Sequence, residues 1–147
     1  MSNFAASLYF LEAKSDFPVL SVFLLLSIGI FAVGAGLLAG IFSVNETKDI
    51  VTVASKIHGG GAAIGFMGLL FFPLLNGLLA LKQNDMAFGI VSIISFVLAF
   101  ASFILFVMGD KEQFQHTVLS YEGLWERVAL LCMYIPFVYR AVRALAS

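Results

Sequence analysis

The stretch PVLSVFLLLSIGIFAVGAGLLAGIF, Pro18 to Phe42, contains no charged side chain. An α-helix needs roughly 20 predominantly apolar residues to cross the hydrocarbon of a bilayer, and this run is long enough. Its apolar core also exceeds the roughly 7–15 residues of a secretory signal. Only Lys14 precedes it, against Glu12 and Asp16, so a retained anchor is expected rather than a cleaved leader. Three further stretches have the same character, at about 57–81, 86–108 and 124–145. None alternates strictly between apolar and polar residues as a barrel strand does, and helices satisfy their own backbone groups in lipid. The expected fold is all-α: a single membrane domain, 1–147, forming an integral bundle of four transmembrane helices.

Composition points the same way. Of 147 residues, 61% are hydrophobic and 12% charged, whereas soluble domains hold about 25% charged residues. A soluble core of this length would leave large apolar patches on its surface. The net charge of −1 and the lack of a basic stripe speak against nucleic acid as a partner. The lone cysteine, Cys132, lies in an apolar run and has no intrachain partner for a disulfide.

The connectors are short and polar. Asn45, Glu46, Lys48 and Asp49 lie between the first two spans, and Lys82-Gln83-Asn84-Asp85 forms a tight turn between the second and third. Asp110, Lys111, Glu112, His116 and Glu122 precede the fourth. Upstream, Phe4, Leu8 and Leu11 share a helical face, which suits an interfacial segment and a frayed end equally. Four spans place both termini and the 82–85 turn on one side, with Lys14, Lys82, Arg140 and Arg143. Lys48, Lys56, Lys111 and Arg127 fall on the other. The lysines and arginines flanking the last span favour a multi-pass protein of the cell (inner) membrane with both termini cytoplasmic.

In lipid, helices associate by close packing rather than by escape from water, so small residues mark their seams. Gly29, Gly36, Gly40 and Ser43 share one face of the first span, and Gly36–Gly40 is a GxxxG pair. Gly61, Gly65 and Gly68 follow at spacings of four and three in the second, and Ser92, Ser95, Ala99 and Ser102 repeat at helical spacing in the third. These residues are expected to pack the bundle. The alternative is that glycines leave room for a lipid or small ligand. Pro73 and Pro136 free the carbonyls of Leu69 and Cys132 and can kink their helices.

The second and fourth spans run parallel, so His58, which opens one, and Glu126 and Arg127, which open the other, are expected at one depth. His116 and Glu122 belong to the same side. This polar cluster at the membrane boundary is the candidate site, because ionisable groups there must pair or reach water. Arg127 can grip a carboxylate or phosphate, tie helices together, or reach along its helix to the interface. The cluster lacks metal-ligand spacing such as HExxH, and no nucleophile motif of the GxSxG type is present. No catalytic residue, metal or cofactor is therefore assigned. Trp125 and Tyr121 suit interfacial anchoring.

Two of these segments carry a resemblance. Lys56-Ile57-His58-Gly59-Gly60-Gly61, continuing to Ile64-Gly65-Phe66, and Gly123-Leu124-Trp125-Glu126-Arg127-Val128 resemble the bacterial and archaeal family called domain of unknown function 998. That family consists of polytopic membrane proteins with no established activity. The resemblance covers its later four helices, about Pro18 to Arg143, without the usual first two. It implies membrane topology and draws attention to His58, Glu126 and Arg127, but implies no catalytic residue. The leading functional expectation is a membrane protein that binds or moves a lipid or small amphiphile. The alternatives are a membrane-embedded enzyme using a His/Glu pair, and an accessory or assembly subunit that docks a second copy or another membrane protein.

Overall fold

The computed structural model describes residues 16–42, 52–109, 111, 114 and 116–146, and the regular elements among them are all helical. Phe4, Leu8, Leu11, Lys14, Ser43, Asn45, Glu46, Lys48, Asp49, Asp110 and Glu112 lie outside the described residues. Four helical units follow in order: α1 (Pro18–Ile41), α2 (Val53–Lys82), α3 (Met86–Gly109) and α4 (Glu122–Ala146). The first three are long and apolar enough to cross a membrane. In α4 the uncharged stretch between Arg127 and Arg140 rises only roughly 18 Å at about 1.5 Å per residue.

Each helix starts where the sequence supplies a reason. Pro18 occupies the first turn of α1, where a missing N–H costs nothing. Thr52 and Ser55 exchange side-chain and backbone bonds in a capping box at the start of α2. Asp85 Oδ1 accepts from the Phe88 amide at 3.3 Å and caps α3. The turn before it places Asn84 at a positive φ of 62°, which the short amide side chain tolerates.

Pro73 acts where it stands. α2 breaks at Phe71 into Val53–Leu70 and Phe72–Lys82. Pro136, by contrast, sits inside an unbroken α4. In α1 the regular winding gives way over Ala32–Leu38 to a π-helix, whose wider turns change the register of every later residue.

The bundle is built by neighbours in sequence. α2 packs its first half along α1 and its second half along α3, while α4 lies chiefly along α3. Leu24, Leu69, Leu70, Phe72, Leu79, Ala99, Ala129 and Met133 form the buried centre. Ser92, Ser95, Ala99 and Ser102 all face inward from α3. Ser95 Oγ returns its proton to Val91 O at 2.8 Å, and Ser27 Oγ to Leu24 O at 2.8 Å, so these hydroxyls are bonded within their own helices. The outside is apolar, with Phe23, Ile94 and Leu131 at 55%, 53% and 66% exposure. Such a surface suits lipid, not water.

Candidate functional site

Among the described residues, α1 and α2 approach closely at glycines. A methyl group added at Gly34 would stand 2.8 Å from the Gly65 nitrogen and 2.9 Å from its Cα, and one at Gly61 would stand 2.9 Å from Gly34 O. Those neighbours are backbone atoms, which have nowhere to go. Gly68 similarly meets Ile30, where an added Cβ would lie 2.7 Å from Cγ2. These meetings run in opposite order along the two chains, so α1 and α2 cross antiparallel, backbone against backbone.

Gly29, Gly36 and Gly40 do not take part. Among the described residues, added side chains at Gly29 and Gly40 would meet nothing within 4 Å, and one at Gly36 only its own helix. The small-residue face expected on α1 is therefore replaced by Gly34. Ser27, Ile30 and Gly34 recur at α-helical spacings of three and four, and that face, not the one with Gly29, Gly36 and Gly40, meets α2.

Beside the crossing, the absence of side chains leaves space. Gly29 and Gly60 help to floor an open groove of about 790 Å³. Its walls come from Val22, Leu25, Leu26, Ile30 and Val33 of α1 and from Ile57 and Ile64 of α2. Lys56 is the one charged residue among those that line it. The volume falls in the range of about 300–1,000 Å³ occupied by small-molecule sites. The described lining is apolar apart from the Lys56 ammonium.

His58 and Arg127, expected in one boundary cluster, make separate hydrogen bonds. His58 Nδ1 lies 2.8 Å from Phe42 O, where it donates as the Nδ1–H tautomer and ties the start of α2 to the end of α1. Arg127 Nη1 donates to Gly123 O at 3.3 Å, within its own helix. Glu126 and His116 are exposed, and the Glu122 side chain lies outside the described residues. Among the described residues no hydrogen bond or ion pair joins His58, Glu126, Arg127 and His116. Nor does any group of three His, Cys, Asp or Glu among them come close enough to hold a metal ion. The first half of α2 leans on α1, while α4 leans on α3.

This arrangement separates two substitutions. His58→Ala is expected to cost about 1 kcal/mol, the net worth of one hydrogen bond. Arg127→Ala is expected to change stability by less than about 0.5 kcal/mol, as for an exposed surface site. Unfolding of both variants in detergent, followed by circular dichroism, checks the order.

Sequence reasoning passed over Gly34, Gly60 and Lys56 as site residues. Gly34 was legible only as a neighbour of Gly36, and Lys56 only as one cation of a connector. The fold and the groove define a class: an α-helical, membrane-embedded protein with an apolar groove between its first two helices. No family model, curated protein or solved structure matches the chain. The comparisons therefore give the resemblance to the domain of unknown function 998 family no support.

Proposed function

We propose that the chain is a four-span protein of the cell (inner) membrane that binds or moves a lipid or small amphiphile through the groove between α1 and α2. The observation that carries this reading is the groove itself. It is apolar, about 790 Å³ in volume, open at its side and bordered by Lys56. A molecule already dissolved in the bilayer can enter it sideways without leaving hydrocarbon, and Lys56 stands ready for a polar head.

Crossing by α4 asks Arg127 and Arg140 to extend toward opposite interfaces, as long cationic side chains do. At the end shared by the 82–85 turn and the C-terminus, Lys82 lies over the Phe17 ring at 5.5 Å. The Arg140 guanidinium lies over Phe88 at 4.1 Å, and Arg143 pairs with Asp85. These cations support cytoplasmic termini.

The test fills the groove. Gly29→Phe adds a bulky side chain in open space, so the fold is expected to persist while co-purifying amphiphile falls severalfold in lipid analysis of the purified protein. Unchanged amphiphile content would overturn the reading. A second reading, an accessory subunit that docks a partner helix, is favoured by Gly36 and Gly40, where an added Cβ would meet no other helix among the described residues. It predicts loss of a co-purifying protein on Gly36→Leu instead.

A further inference from the structure

We infer that the occupant of the groove is a long-chain fatty-acid anion, its carboxylate held at Lys56 and its tail running past the membrane mid-plane. This rests on the groove reading above and adds the ligand's charge, head size and length.

The charge follows from Lys56. Among the described residues it is the one charged residue lining the groove, and no carboxylate pairs with it. An ammonium is a compact point charge, matched by one compact anion. Among the described residues the rest of the lining is hydrocarbon and helical glycine, with no hydroxyl, amide or acidic side chain. A glycerol or sugar headgroup would find nothing there to bind, whereas a bare carboxylate asks for no more than Lys56 and interfacial water.

The length follows from the walls. The lining on α1 runs from Leu38, beside the Lys56 end, down to Val22. That is roughly 22 Å at about 1.5 Å per α-helical residue, allowing for the wider π turns. One leaflet of a hydrocarbon core about 30 Å thick spans only roughly 15 Å. A tail anchored at Lys56 therefore continues beyond its own leaflet, and a short chain leaves the Val22 end empty.

The experiment uses the full chain in phosphatidylcholine nanodiscs. Binding of dodecanoate, hexadecanoate, docosanoate and hexadecanol is measured by native mass spectrometry on the parent, Lys56→Gln, Gly29→Phe and Gly60→Phe proteins. Circular dichroism checks that each variant is folded. Hexadecanoate is expected to bind about tenfold more tightly than hexadecanol, the worth of one charge-assisted bond. Lys56→Gln should remove that difference, docosanoate should outcompete dodecanoate, and both phenylalanine variants should abolish binding.

If acid and alcohol bind alike, with Lys56→Gln changing neither while the phenylalanine variants abolish both, the anion inference is overturned and the groove reading stands. Equal binding of dodecanoate and docosanoate overturns the length. If the folded phenylalanine variants bind as the parent does, the groove reading falls and takes this inference with it. The same follows if they dissolve a dimer seated in the groove.

Discussion

Gly65→Leu is expected to destabilise the protein by about 3 kcal/mol or more, and Gly36→Leu to leave it as stable as the parent or slightly more so. An added Cβ at Gly65 would stand 2.9 Å from the Ala35 Cβ and would run into the Ala35 backbone nitrogen. The obstacle is a helix backbone, so relief requires α1 and α2 to part along their whole crossing. Overfilling a packed core costs typically about 1–3 kcal/mol, and more where nothing can shift. Parting also loses the close contacts that hold helices together in lipid. At Gly36 the only atom near an added Cβ is Phe31 O, at 4.0 Å in the same helix. Leucine there would face outward and favour the helix over glycine by up to about 1 kcal/mol. Unfolding of both variants in mixed detergent gives the comparison. Equal stability of the two would mean that Gly34 is not the face α1 presents to α2.

That contrast shows what a sequence reveals here. In α2 the glycines at 61, 65 and 68 could be placed on one face because that helix keeps its α period over Val53–Leu70. The serines of α3 were legible for the same reason, and the break at Pro73 because a missing N–H acts wherever it falls. In α1 the same arithmetic allows two faces, one with Gly29, Gly36 and Gly40 and one with Ser27, Ile30 and Gly34, and glycine content favours the first although the second meets α2. The hydrogen-bond partners of the boundary residues were illegible for a different reason. Span counting gives depth and direction, whereas lateral neighbours depend on which faces fit. The groove was illegible because it is a property of two faces and the space between them. Gly29 could be read as small, but not as uncovered.

Phe72→Ala is the second large effect, expected to cost about 3 kcal/mol. Phe72 follows the break at Phe71, where Pro73 cannot donate to Leu69 O, and the Phe71 amide takes that carbonyl instead. The break turns Leu69, Leu70 and Phe72 into the middle of the bundle, each 1% exposed. There Phe72 stacks on Phe137 of α4, with ring centroids 3.9 Å apart and planes 4° from parallel. In lipid this contact gains little from excluding water, so its worth is close packing: many small dispersion contacts that a cavity loses outright. Truncating a buried phenylalanine in water costs about 3–5 kcal/mol, and the lower part of that range applies where the hydrophobic contribution is weak. Phe23→Ala, at 55% exposure on the lipid face, is the control, expected within about 0.5 kcal/mol of the parent. A cycle with Phe137→Ala should return a coupling of about 1 kcal/mol, the worth of an aromatic pair beyond its area. If Phe72→Ala and Phe23→Ala unfold alike, the ring is not held between α2 and α4, and the break at Phe71 has not turned it into the bundle.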